Sequence, residues 1–265
     1  MIDGMAGNRK RRDDGEPMLL QLSVPATKPP SSPTTDVTMK FVIQSLFALL
    51  AVLGLGLTLA PAEDLPPLET GDIVFQKTQT SASDAIMLAS DTQYTHVGIV
   101  DVGKDGRATV IEAVGPVQAV PLDKWMKNGA GGRITVKRIK GLDEAKAKQA
   151  VASARRYMGR PYDHYFYETR DQIYCSELVY AAFKDGPHIS VGREEKVRDL
   201  NIDTSAAQKL IAARWRSHPL CRAKGAKNFK ACYALILDQT LVTPASIARD
   251  PQMETVYSSF GFGAE

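Results

Sequence analysis

Tyr174-Cys175-Ser176-Glu177-Leu178-Val179-Tyr180-Ala181-Ala182-Phe183 is the segment from which the architecture can be worked out. After Cys175, Leu178, Val179, Ala182 and Phe183 recur at helical spacing and define one buried face, and Gly186-Pro187 ends the run. Upstream, Gly159-Arg160-Pro161-Tyr162-Asp163 cannot continue a helix, so Cys175 falls in the first turn of a new one. A thiol at that end feels the positive pole of the helix dipole, which favours the thiolate. A small cysteine that only packs would satisfy the same pattern, so the rest of the chain has to decide.

The 265 residues are 44% hydrophobic and 24% charged, which suits one medium globular domain with extensions. The net charge of +3 is too small to require nucleic acid or an acidic surface as partner. Residues 1–38 differ in kind. Arg9-Lys10-Arg11-Arg12 and then Pro25, Pro29, Pro30 and Pro33 among Ser and Thr read as a disordered tail, with a basic nucleic-acid-binding arm as the sharper alternative. Met39-Lys40 then opens an apolar run from Phe41 to Ala60 that closes on Ala60-Pro61-Ala62. A charged start, an apolar core and small residues before a cut describe a secretory signal peptide over 39–62. On that reading Met39 is the initiator, 1–38 is an extension ahead of the true start, and the mature domain is 63–265. The expected location is periplasmic or secreted. The competing reading is an uncleaved inner-membrane anchor, since about 20 apolar residues span a bilayer. No Cys follows the run, which disfavours a lipid-anchored form.

Export changes how the cysteines are read. Cys221 and Cys232 lie close together in a stretch rich in Lys and Arg and can pair in an oxidising compartment. Cys175 is then the odd, free thiol, which points it toward chemistry.

A thiolate needs a base. Gly71-Asp72-Ile73-Val74-Phe75 reads as a strand, His96 to Val102 as another, and Thr109 to Ala113 as its return across the tight turn Gly103-Lys104-Asp105-Gly106. Period-2 alternation puts Tyr94, His96 and Gly98 on one face, and Val110 and Glu112 on one face of the partner strand. The hairpin thus brings Glu112 beside His96. A carboxylate on one ring nitrogen fixes the tautomer and leaves the other nitrogen for the thiol proton. His164 is the rival base, and Asp163 and Glu177 are rival carboxylates; Glu177 suits the first helical turn. His188 and His218, each beside a Pro, read as loop residues. Further elements are a helix from Ser81 to Ala89, a short one from Pro121 to Met126, a strand from Arg133 to Ile139, and an alanine-faced helix from Asp143 to Met158 closed by Gly159. Beyond Gly186 the signals thin. Thr204 to Trp215 reads as helix, Pro219 to Ala231 as a basic loop, Tyr233 to Leu237 as a strand, and Thr243 to Ala248 as a short helix with Thr as cap and Pro in first position.

Gly71-Asp72-Ile73-Val74-Phe75, Tyr94-Thr95-His96-Val97-Gly98-Ile99, Ile111-Glu112-Ala113 and Tyr174-Cys175-Ser176-Glu177-Leu178 occur in that order. This set resembles the YiiX/YebB-like cysteine hydrolases, circularly permuted relatives of the NlpC-type papain-like peptidases, in which the His strand precedes the Cys helix. The resemblance runs from about Gly71 to Lys184. It implies an α+β fold with an antiparallel sheet packed against the Cys-bearing helix. It also implies Cys175 as nucleophile, His96 as base and Glu112 as the residue that orients the imidazole. Lecithin-retinol-acyltransferase-like enzymes share the permuted layout, so acyl transfer stays open. The Pro219–Cys232 insert has no counterpart in the resemblance.

An oxyanion would meet the Cys175 backbone N–H at the helix start. The second donor is open: Tyr94 is one candidate, and Tyr162 and Tyr174 are placed to line the pocket. With no Gly-rich phosphate loop and no metal-spaced His/Cys set, no cofactor is expected. Three functions fit. The first is an exported thiol hydrolase that cuts an amide in cell-wall peptide or a related small peptide. The second is an acyltransferase or a hydrolase of lipid amides and esters. The third is a non-catalytic envelope binding protein, against which the intact Cys/His/Glu set argues. The expected partner is therefore a peptide or acyl-amide substrate, with membrane or cell-wall proximity.

Overall fold

The alternating segments become strands β1 (Ile73–Gln76), β2 (His96–Val102), β3 (Ala108–Ala113), β4 (Val117–Pro121) and β5 (Thr135–Ile139). The structure is a computed structural model, and it describes residues 65–80, 82–167, 169, 171–261 and 264. The tail expected over 1–38 and the signal peptide expected over 39–62 lie outside the described residues. Further along come β6 (Glu194–Lys196), β7 (Thr240–Val242) and β8 (Met253–Ser258). The main sheet has the order β4-β3-β2-β1-β5-β8, with every neighbouring pair antiparallel, and β6 and β7 form a separate two-stranded pair.

Period 2 gives the sheet two different faces. Ile73, Phe75, Val97, Ile99 and Ile111 point to one side, where helices α3 (Glu144–Arg155) and α4 (Cys175–Asp185) cover them. Leu178, Val179, Ala182 and Phe183 of α4 are all fully buried there, each large one adding about 1.5–3 kcal/mol of burial. Ala147, Ala150 and Ala154 of α3 have little side chain to hold the helices apart, so α3 packs closely on α4. Asp143 caps α3 by accepting from the Lys146 N–H at 2.8 Å. On the other side Val74, Val100, Val110 and Val136 meet Trp125 from α2 (Leu122–Asn128). Between β1 and β5, the buried Asp72 carboxylate takes a two-pronged grip from Arg138, at 2.7 Å from Nε and 2.9 Å from Nη2.

The remaining elements build a cap. Helix α1 (Ser83–Ser90) lies against α5 (Ser205–Arg214). Helices α6 (Pro219–Ala223) and α7 (Phe229–Asp238) share a small core with Val197, Ile202 and Ala207. This corrects two expectations. Pro219 to Ala231 is not one loop but α6, a connection over 224–228 and the first turn of α7, and Tyr233 to Leu237 is not a strand but helix. Pro219 supplies a ready first helical residue, and the Asn228 side chain caps α7 by accepting from the Ala231 N–H at 2.9 Å. Arg222, Lys224, Lys227 and Lys230 face solvent while Cys221, Cys232 and Ile236 face inward. A basic stretch can thus be a helix with one wet side. α8 (Pro244–Ala248) forms as read, with Thr243 accepting from the Ser246 N–H at 2.9 Å.

Cys221 and Cys232 are disulfide-bonded and Cys175 is free and buried. The bond closes a loop with a sequence separation of 11. Replacing both cysteines with serine should cost about 2–3 kcal/mol of cap stability, through the greater freedom of the unfolded loop and the lost burial. Urea unfolding followed at Trp215 beside this cluster checks it, and an unchanged midpoint would mean that the small core alone holds the cap. Among the described residues no helix is long and apolar enough to cross a membrane.

Candidate active site

The register of β2 on β3, Ile99 against Ile111 and Val100 against Val110, brings Glu112 across from Gly98, one step along the face from His96. Gly98 keeps that crossing clear, since a Cβ there would sit 2.4 Å from Val110 Cγ1. His96 Nε2 and Glu112 Oε2 are 2.6 Å apart, and both residues are buried. The carboxylate also accepts from Trp125 Nε1 at 2.8 Å and from Gln118 Nε2 at 3.0 Å. Three donors explain how a carboxylate sits in an apolar strand. Burial alone pushes Glu112 up. The His96 hydrogen bond and charge, then Gln118 and Trp125, outweigh it and hold the group ionised. The Trp125 ring stacks on the imidazole with centroids 6.0 Å apart.

Cys175 is the first residue of α4, and its thiol hydrogen-bonds the His96 side chain. With Nε2 engaged by Glu112, Nδ1 is the ring nitrogen left for the sulfur. Burial pushes the thiol up, but the His96 hydrogen bond and charge, with the backbone amides of Val97 and Ser176, bring it below its ordinary value. Burial likewise pushes His96 down, and the hydrogen bonds to Cys175 and Glu112 overcome it and raise the imidazole to about 10. Both directions favour a thiolate–imidazolium pair.

The three tyrosines part company. Burial, then the charge of the neighbouring Cys175 sulfur and a hydrogen bond to it, hold the phenol proton of Tyr162 on. Tyr174 caps α4, and its hydroxyl accepts from the Val242 N–H at 3.0 Å. Two residues on, Ser176 repeats the link, its Oγ donating to the Val242 carbonyl at 2.8 Å. Tyr94 is not placed for an oxyanion: its hydroxyl meets Thr135 Oγ1 at 2.9 Å and its ring packs between Phe75 and Phe260. It lies just ahead of β2, and its ring goes to the face opposite His96. His164 is exposed with its ring tilted against Tyr162, and Asp163 spends its buried carboxylate on the Tyr165 and Tyr167 amides. Glu177 sits in the first turn of α4, as read. His188 is a loop residue, but His218 is buried at the start of α6.

Cys175 opens onto a cavity of about 120 Å³ between the sheet end and the cap. Ile86, Leu200, Ile211, Ile236 and Leu241 give its walls their apolar character. Among the described residues no group of three His, Cys, Asp or Glu side chains is arranged to hold a metal ion.

Trp125 and Gln118 were not visible as site residues. A buried indole demands an acceptor, but nothing in the sequence says that the acceptor is Glu112. Trp125→Phe keeps the ring and deletes the donor. The loss of a bond to a charged group, on the order of 1.5 kcal/mol, should lower kcat about tenfold with the fold retained by circular dichroism. An unchanged kcat would mean that the indole N–H does not help to hold the carboxylate.

Residues 67–257 match the family described as permuted papain-like amidase enzymes of the YaeF/YiiX type. The YiiX protein of Escherichia coli K12 is 33% identical over 189 residues, covering 71% of this chain and 85% of its own. The crystal structure described as the metalloprotein yiiX from Escherichia coli O157:H7 superposes with a TM-score of 0.64 at 31% identity, covering 74% of this chain and 99% of that one.

Proposed function

Because this chain belongs to the permuted papain-like amidase family, and so is a cysteine hydrolase of amide bonds, we propose that Cys175, His96 and Glu112 form its catalytic triad and that an acyl amide is its substrate. The cavity carries the second half of this reading. Its walls offer an alkyl chain contact along its length, and offer a cell-wall peptide few partners for its polar groups. The thiolate attacks the amide carbonyl, and the negative oxygen is met by the Cys175 N–H at the start of α4 and by the Tyr162 hydroxyl. His96 gives its proton to the departing nitrogen as the C–N bond breaks, leaving an acyl thioester. A water then loses a proton to His96 and attacks the thioester, and the acid leaves as the thiolate re-forms. Glu112 orients His96 throughout. The apolar run ending in Ala60-Pro61-Ala62 and the cap disulfide support a periplasmic or secreted location.

Incubation with a dodecanoyl amide should release dodecanoic acid, and mass spectrometry after quenching in acid should find the dodecanoyl group on Cys175. Turnover of peptidoglycan fragments with no action on acyl amides would overturn the substrate, and turnover by Cys175→Ala would overturn the triad.

A further inference from the structure

Among the described residues that line the cavity, Arg214 is the only Lys, Arg, Asp or Glu. It ends α5, and its guanidinium lies over the Phe166 ring, 5.7 Å from the centroid. One nitrogen donates to the His164 carbonyl. No carboxylate among the described residues forms an ion pair with it. The nearby Asp163 is taken up by two backbone amides, at 2.7 Å from Tyr165 and 2.6 Å from Tyr167. The half-buried Arg138 is matched by Asp72 and Glu69, and the exposed Arg155 by Asp101. Arg214 is also near the chemistry, because it acts electrostatically on Tyr162, the phenol beside the nucleophile.

A guanidinium half-buried against an apolar wall, with no ion pair among the described residues, is costly, and a carboxylate relieves the cost through its flat two-oxygen edge. We propose that Arg214 binds a carboxylate on the amine side of the scissile bond, so that the substrates are N-acyl amino acids. This rests on the acyl-amide reading above and narrows it. The acyl chain fills the cavity, the carbonyl meets Cys175, and the amino-acid carboxylate, two bonds from the departing nitrogen, turns toward Arg214.

N-dodecanoylglycine and N-dodecanoylglycinamide differ in one charge. Titrated calorimetrically into the full Cys175→Ala chain, the glycine conjugate should bind at least about tenfold more tightly, and salt should shrink the gap. Arg214→Gln in that background should abolish the preference, Arg214→Lys should keep part of it, and the exposed Lys209→Gln should keep all of it. Hydrolysis by chains with Cys175 intact should show the same ratios in kcat/KM. Equal binding of both conjugates, or a preference that survives Arg214→Gln, overturns the role of Arg214 while leaving the acyl cavity standing. Binding of neither conjugate overturns the acyl reading and this inference with it. Binding of the glycinamide conjugate by Arg214→Gln shows that the variant is folded.

Discussion

Replacing Cys175 with alanine is expected to lower acyl-amide hydrolysis by at least about ten-thousand-fold, and removing His96 as well should add almost nothing. The reason lies in how the three groups are joined. Glu112 reaches the reaction only through His96, at 2.6 Å, and His96 reaches it only through the sulfur and the departing nitrogen. Once the nucleophile is gone, the base has no proton to manage. His96→Ala alone should come close to the Cys175→Ala loss, because the buried thiol then keeps its burial penalty and loses what offsets it. Glu112→Gln should fall between, since Trp125 and Gln118 still surround the position but the charge that favours imidazolium is gone. Steady-state rates for the single and double variants on one substrate are the measurement. Losses that multiply, rather than saturate, would mean that the residues act independently.

The second large effect is in the thiol itself. Cys175 lies below its ordinary value and His96 is raised to about 10. The ion pair is therefore present from the lowered thiol value upward and is lost as pH rises through about 10, when His96 gives up its proton. An ordinary thiol near 8.5 reacts with iodoacetamide about 300-fold more slowly at pH 6 than at its alkaline plateau. Cys175 should lose far less of its rate at pH 6. His96→Ala should remove that acid-side reactivity, by about a hundredfold, because burial then acts alone on the sulfur. Alkylation rates from pH 5 to 10, read by peptide mass spectrometry, decide it. A wild-type profile that follows an ordinary thiol, unchanged by His96→Ala, would reduce Cys175 to a packing residue.

Much of the site was legible because its geometry is local. The alternation in Tyr94-Thr95-His96-Val97-Gly98 and the short turn at Asp105-Gly106 are enough to set His96 beside Glu112. The apolar spacing after Cys175 is enough to give α4 a buried face. Tyr94 shows where the local rule stops: it precedes the strand, so its side chain does not obey the strand's alternation. The cap was misread for a different reason. Cys232, Ile236 and Leu237 are consistent with strand or helix over so short a run, and the choice is made by the Asn228 cap and by the inward turn of Cys221 and Cys232. β8 has mostly exposed or half-exposed residues and pairs at the sheet edge with β5, so its sequence carries little periodic signal. Arg214 reads as an ordinary helix-end arginine until the fold wraps the cavity around it.

The tie from Tyr174 and Ser176 to Val242 carries a consequence for biogenesis. A ribosome delivers the strand of the base first, the nucleophile next, and the residue that moors the nucleophile's helix well after both. Until Val242 arrives, the helix start lacks the two hydrogen bonds that moor it to β7. The nucleophile's helix is thus moored by a residue that follows both members of the pair in the chain.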